Sequence, residues 1–352
     1  FFLMGAIHAR EYATAELAMR FAETLLNQYG VDADATWLLD HFELDVLGQT
    51  NPDGRKMAET GVSWRKNTNN TDGCSLSSYY GVDLNRNSSY HWGGAGASTN
   101  PCDETFRGSA AASEPEVQAM QNYVASIFPD GRDETNLNNP APADYAGLFI
   151  TLHSYGGEVM WPWGDTNAPA PNGTALQTLG RKMAYFNGYL PEQSVGLYPT
   201  TGASDDWAYG TLGVPAYTFE VGGNFFEPCS SFEASVYPDN LNALMYAFKT
   251  AYRPYQTPAG PDSLQVTAPA AVGVGVSFKL AAQVNDTRYS GAEPTQAISA
   301  ARYSLDLASW DPGAVTLPMQ AEDGVFDSSI EQVSVQMDST GWTPGRHTLY
   351  VE

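Results

Sequence analysis

The sequence predicts an α/β domain with a largely buried sheet over residues 1–257, followed by a small all-β sandwich over residues 258–352. Three observations carry this. Short apolar runs of buried-strand type alternate with helical patterns through the first part, a Pro/Gly/Ala-rich stretch begins at Thr257-Pro258-Ala259-Gly260-Pro261, and beyond it two-residue alternation replaces every helical period.

The elements follow in chain order. Phe1-Phe2-Leu3-Met4-Gly5-Ala6-Ile7 has no basic leader and no small-residue cleavage site, so it reads as the tail of a buried strand rather than a signal peptide. Leu17, Phe21 and Leu25 fall at i, i+4 and i+8 and predict a helix. Phe42, Leu44 and Val46 alternate as a strand ahead of the turn-rich Asn51-Pro52-Asp53-Gly54. Ser113-Glu114-Pro115-Glu116 offers a capping box with proline in the first turn, leading into Val117, Met120 and Val124. Leu148-Phe149-Ile150-Thr151-Leu152 and Pro215-Ala216-Tyr217-Thr218-Phe219 are further buried strands, and Leu241, Leu244, Met245 and Phe248 mark another helix. In the β part the runs are Leu264 to Val266, Val276-Phe278-Leu280, Tyr303 to Leu305 and Val333 to Val335. The closing His347-Thr348-Leu349-Tyr350-Val351-Glu352 alternates like a strand and stops without a turn, so both ends are expected to belong to a longer protein.

Charge narrows the function. With 17 Lys plus Arg against 40 Asp plus Glu, the net charge of −23 excludes nucleic acid as a partner, because phosphate binding needs a basic stripe. At 43% hydrophobic and 16% charged the chain can bury a core, and no apolar run reaches the roughly 20 residues of a membrane helix.

The chemistry sits at strand ends. His8-Ala9-Arg10-Glu11 lies where the first strand gives way to the first helix, and His153-Ser154-Tyr155-Gly156-Gly157 follows another apolar strand, in both cases at the carboxyl edge where open α/β sheets bind ligands. His8, Glu11 and His153 together make two imidazoles and one carboxylate. That set leaves a position open for water and is the ligand set of a hydrolytic zinc ion.

Further segments follow in order: Trp64-Arg65-Lys66-Asn67, Gly81-Val82-Asp83-Leu84-Asn85-Arg86-Asn87, Leu152-His153-Ser154-Tyr155, Tyr198-Pro199-Thr200-Thr201-Gly202-Ala203-Ser204-Asp205-Asp206-Trp207 and Thr218-Phe219-Glu220. With His8-x-x-Glu11 they make residues 1 to about 253 resemble the zinc metallocarboxypeptidases of the pancreatic carboxypeptidase A and B type, as a secreted bacterial member. The resemblance implies a mixed, mostly parallel sheet flanked by helices and one zinc ion on His8, Glu11 and His153. It makes Glu220 the general base, Arg65 the stabiliser of the oxyanion with Arg10 assisting, and Asn85 and Arg86 the clamp for a substrate's terminal carboxylate, a task that suits a planar guanidinium. Tyr198 falls on the mobile phenol that closes over the bound residue. Asp205 falls at the base of the pocket for the terminal side chain, where an aspartate suits Lys or Arg and an apolar residue suits aromatic or aliphatic ends. Gln193, before Tyr198, departs from the B pattern.

The implied activity is hydrolysis of the C-terminal peptide bond of peptides and proteins, favouring or accepting C-terminal Lys or Arg, by a secreted, extracellular or periplasmic enzyme. Cys74 and Cys102 fall where the pancreatic enzymes carry a disulfide, which leaves Cys229 over. In the family a helix and two further strands precede the His-x-x-Glu strand. Two alternatives stand beside this reading. A non-catalytic peptide-binding relative would be expected to lose Glu220 or a zinc ligand, and a zinc amidase acting on cell-wall or acylated amino-acid substrates need not keep the Asn85-Arg86 clamp or the Tyr198 loop. The β module looks like the immunoglobulin-like or fibronectin-like modules of secreted bacterial enzymes, for which a cell surface, a polysaccharide or a protein is the candidate partner. His41, His91 and His347 sit in no motif and are read as structural.

Overall fold

A computed structural model describes residues 1–76, 79–133, 135–136 and 138–352. The chain forms two units, one of Phe1–Ala259 with Tyr289–Gly291 and the other of Gly260–Arg288 with Ala292–Glu352. Among the described residues no helix is long and apolar enough to cross a membrane.

Among the described residues unit one has six strands: β1 (Phe2–Met4), β2 (Asp45–Leu47), β3 (Phe149–His153), β4 (Glu158–Trp161), β5 (Leu190–Gln193) and β6 (Ala216–Glu220). Their order is β2-β1-β3-β6-β4-β5. The first four run parallel, while β4 pairs antiparallel with β6 and parallel with β5. In β1 and β3 every residue is buried, which is why they read as unbroken apolar runs rather than alternating ones. Register sets Phe2 beside Phe149, and their rings stack at 5.4 Å.

Among the described residues eight α-helices accompany the sheet: α1 (Tyr12–Gln28), α2 (Ala33–His41), α3 (Pro52–Ala58), α4 (Pro115–Ile127), α5 (Gly173–Asn187), α6 (Ser204–Trp207), α7 (Cys229–Ser231) and α8 (Tyr237–Thr250). Leu17, Phe21 and Leu25 of α1 are buried as their spacing requires, and Phe21 meets Phe1 and Phe248 edge-on. In α8, Leu244 and Phe248 are buried and Leu241 and Met245 pack partly against the same core.

Two local expectations are corrected. Asn51-Pro52-Asp53-Gly54 opens helix α3 rather than ending in a turn, because Asn51 accepts the Gly54 amide at 3.0 Å and Pro52 occupies the first helical position. Helix α4 starts where expected but without its capping box: Glu114 stands at the N-cap and makes no cap bond. Its carboxylate instead accepts from Asn67 at 2.7 Å and Asn69 at 3.1 Å, so tertiary partners outcompete the local helix end. Cys74 and Cys102 form a disulfide with Cα atoms 5.1 Å apart, closing a loop of sequence separation 28, and Cys229 is free and exposed.

Unit two contains β7 (Asp262–Thr267), β8 (Ser277–Asn285), β9 (Ala301–Leu305), β10 (Thr316–Ala321), β11 (Ile330–Asp338) and β12 (Leu349–Val351) in the order β12-β9-β10-β11-β8-β7, with antiparallel neighbours throughout. β10 pairs with β9 through Thr316 to Met319 and with β11 through Gln320 and Ala321. It thereby joins the two halves of one continuous sheet, whose buried cluster includes Phe278, Leu280, Val284, Ile298, Met319 and Val333.

Candidate active site

The site gathers at the carboxyl ends of β1, β3 and β6. His8 follows β1, Glu11 is the N-cap residue of α1, and His153 and Glu220 are the last residues of β3 and β6, directly paired in register. All but Glu220 are buried; Glu220 is partly exposed.

Two chain crossings bring up the remaining groups. Ala9 N–H donates to Arg65 O (3.0 Å), while Asn67 N–H donates to Val82 O (3.0 Å) and Val82 N–H to Asn67 Oδ1 (2.8 Å). Gly81 sits between them with a φ of +99°, and a Cβ there would meet Asn67 O at 2.1 Å, so only glycine allows the close approach.

The trio fits a metal ion. Ligand atoms of His8, Glu11 and His153 all lie within 4.8 Å of one another. His8 Nδ1 is 2.7 Å from Glu11 Oε1 and 3.2 Å from His153 Nδ1, while Glu11 Oε2 has no hydrogen-bond partner. Both ring nitrogens of His8 face a carboxylate oxygen, Nδ1 toward Glu11 and Nε2 toward Asp83 Oδ1 at 3.1 Å; with a cation among the trio, Nε2 would keep the proton and Nδ1 would offer its lone pair. Buried lone pairs converging without a counter-charge are costly, and a cation resolves the cost.

Asp83 ties two parts of the site together. Its Oδ1 faces His8 and its Oδ2 accepts from Arg65 Nε (3.0 Å) and Nη2 (2.9 Å). Burial pushes this carboxyl up, but Arg65, His8 and Arg86 hold it well below the usual carboxylate range. The sequence reading quoted Asp83 within its motif but gave it no role. Two positions before an Asn-Arg pair it resembled any loop aspartate, and only the fold shows that it serves His8 and Arg65 together. Asp83→Asn should lower zinc affinity by about 10–100-fold, read by competition with a coloured chelator; unchanged affinity would remove Asp83 from the site.

A cavity of about 360 Å³ opens beside the trio. Arg65, Asn85, Arg86, Tyr198, Asp205, Glu220 and Arg10 all line it. Asn85 Oδ1 accepts from Ser204 N (3.0 Å) and Oγ (3.1 Å), which leaves its amide NH₂ for the cavity. Arg86 is almost fully buried; its Nε donates to Gly96 O (2.9 Å) and its Nη1 to Asn85 O (2.8 Å), and it lies 5.8 Å from the Tyr198 ring. Tyr198 is half-exposed. Arg10, expected to assist Arg65, is ion-paired: Glu104 takes both of its terminal nitrogens, at 2.9 and 3.2 Å, and its guanidinium lies 4.0 Å from the Phe225 ring centre.

At the inner end, Asp205 Oδ2 accepts from Thr218 Oγ1 (3.1 Å) and Ser194 Oγ (3.3 Å), leaving Oδ1 for a group in the cavity. Its neighbour Asp206 accepts the Gly164 amide with both oxygens at 3.0 Å. Burial, with Asp205 adding, pushes the Asp206 carboxyl well above its usual range. Gln193 is tied to the carbonyls of Trp163, Thr166 and Ala168 and is not among the residues lining the cavity. Glu220 is enclosed except toward the cavity. That burial, with Glu11 and Glu158 adding and His153 and Arg65 opposing, pushes its carboxyl up to about 7, suited to a proton-transfer group. His91 pairs with Asp165 and His347 with Asp306, and neither histidine belongs to the trio.

Comparison with known proteins points the same way. The family model described as zinc carboxypeptidase matches residues 1–238. The chain is 34% identical over 223 residues to carboxypeptidase A1 of Rattus norvegicus, covering 61% of this chain and 49% of that protein. It is 32% identical over 229 residues to carboxypeptidase B of Bos taurus, covering 62% and 50%. The chain thus spans about half the length of the curated relatives it matches. The fold is also similar to that of thrombin activatable fibrinolysis inhibitor, with a TM-score of 0.61, 24% identity, and coverage of 71% of this chain and 62% of that one.

Proposed function

Since the chain belongs to the zinc carboxypeptidase family, we propose that the protein is a zinc-dependent exopeptidase that hydrolyses the C-terminal peptide bond of peptides and proteins and favours Lys or Arg at that position. The observation that carries this reading is the single cavity lined both by the His8, Glu11 and His153 trio with Glu220 and by the buried Arg86 with Asn85.

Zinc on His8, Glu11 and His153 would polarise a peptide carbonyl and make a water molecule more acidic. Glu220 takes a proton from the attacking water and gives it to the leaving amine, both within reach of a carboxyl whose pKa is near 7. Arg65, held by Asp83, presents a fixed positive charge to the oxyanion, which needs no reorganisation as charge develops. Arg86 and the Asn85 amide hold the terminal carboxylate, so that only a chain end fits. Arg10, paired with Glu104, shapes the approach to the site rather than supplying a free charge.

Asp205 gives the pocket one carboxylate oxygen for an incoming cation, and leaving that oxygen unpaired beside an apolar side chain disfavours the alternatives. Residues 1–257 then act as the catalytic part and residues 258–352 as an immunoglobulin- or fibronectin-like module. The Cys74–Cys102 disulfide supports an extracellular location.

The test is release of C-terminal Lys, Arg, Phe and Leu from matched peptides by the full-length protein, with and without a zinc chelator. Chelator-sensitive release, fastest for Lys and Arg, is the expected result, and Asp205→Asn should reduce the preference for Arg over Leu by about 30-fold or more. Absence of release for all four peptides would sink the activity. A preference for Phe or Leu would sink only the role of Asp205.

A further inference from the structure

Unit two carries two carboxylates on a face that is otherwise apolar. Along β8, Phe278, Leu280, Ala282 and Val284 are buried at every second position, and Asp286 continues the series one step past the strand. On β11, Glu331 shares the inward face of Val333. Val284 pairs with Glu331, and Asp286 N–H donates to Ser329 O at 2.9 Å, which makes Asp286 and Glu331 diagonal neighbours across the two strands. Backbones so related lie about 7–8 Å apart, a gap that two acidic side chains can close. Asp286 is 1% exposed and Glu331 4%.

Hydrogen bonding satisfies only part of this pair. Asp286 Oδ2 accepts from Gln296 N at 2.6 Å, and Glu331 Oε1 accepts from Asp327 N (3.0 Å) and Ser328 N (2.8 Å). Asp286 Oδ1 is buried with no partner. Among the described residues no basic side chain forms an ion pair with either carboxylate; Arg288, two residues along, pairs with Asp262 at 3.6 Å. Two acidic groups among Val284, Ile298 and Val333 with no counter-charge are costly. The donor set is oxygen only, two carboxylates beside the 327–329 turn, whose Ser328 and Ser329 carbonyls already accept from Ile298 N and Asp286 N. It contains no imidazole or thiolate to select zinc, and its irregularity suits a large, hard cation of flexible coordination better than octahedral magnesium.

We infer that Asp286 and Glu331 bind a calcium ion, which the unpartnered Asp286 Oδ1 awaits, with a dissociation constant of about 10⁻⁴–10⁻³ M, the range of extracellular modules. The ion supplies the missing counter-charge and fixes the 327–331 turn to the end of β8, so its effect is on the stability of unit two and not on the zinc chemistry.

The experiment uses the full chain, freed of divalent ions and resupplied with one equivalent of zinc, titrated with calcium chloride in a calorimeter and melted at each calcium concentration. Saturable binding of one calcium per chain is expected, with a rise in Tm of about 5 °C at saturation. Asp286→Asn and Glu331→Gln should each weaken binding by about tenfold or more. In calcium-free buffer Asp286→Asn should melt no lower than the parent, because it removes an uncompensated buried charge, a result that a merely structural carboxylate would not give. Absence of saturable binding at about 10 mM calcium, binding unaltered by both substitutions, or an equal response to magnesium would each overturn the assignment. The parent titration and Glu331→Gln decide the matter even if Asp286→Asn does not fold.

Discussion

Glu220→Gln is expected to lower kcat for peptide hydrolysis by about 10²–10⁴-fold while leaving zinc content near one per chain. Gln keeps the size and one acceptor of Glu220 but can neither take nor return a proton. Glu220 closes β6 in register with His153, and its side chain faces the cavity rather than joining the trio. Steady-state kinetics on a peptide ending in Arg, with metal analysis of the same sample, separates the two readings of a loss. Retained zinc with lost turnover fits a proton-transfer role, whereas zinc lost with turnover would make Glu220 a ligand. Activity within a few-fold of the parent would remove Glu220 from the mechanism.

His153→Ala should abolish both zinc retention and chelator-sensitive peptide release. Removing one of three protein ligands costs a metal site far more than removing a surrounding carboxylate, so the loss should exceed the about 10–100-fold expected for Asp83→Asn. The side chain fills a buried position at the end of β3, its ring 4.8 Å from that of His8, so the substitution also leaves a void. A circular dichroism melt therefore accompanies the zinc assay: a folded protein without zinc confirms a ligand role, and a folded protein with full zinc content removes His153 from the trio.

How legible the fold was depended on whether an element's pattern came from burial on its own terms. β1, β3 and β6 run through the centre of the sheet with both faces covered, so their sequences are continuous apolar runs and stood out. Helix α5 did not, although Leu176, Leu179 and Met183 are buried at helical spacing. Gly180 interrupts the run, and in the structure it is required there because a Cβ would meet Trp161 at 2.5 Å. Helix α2 is nine residues long with three buried positions, too short for a clear period. The reversal of β4 against β6 has no local signature at all.

By itself, the sequence determined which chemistry was available: two imidazoles and a carboxylate at strand ends, a lone Glu after an apolar strand, an Asn-Arg pair and paired aspartates a few residues after Tyr198. Ligand type and spacing along the chain are local properties, and a strand's carboxyl end is readable from its apolar run. Tertiary structure alone decided which groups are free to act. Asp83 links His8 to Arg65, Glu104 occupies Arg10, and Ser194 and Thr218 fix one oxygen of Asp205 while burial beside it pushes the Asp206 carboxyl up. These states depend on partners distant in sequence, and the energy of a buried charge is set by what surrounds it in space.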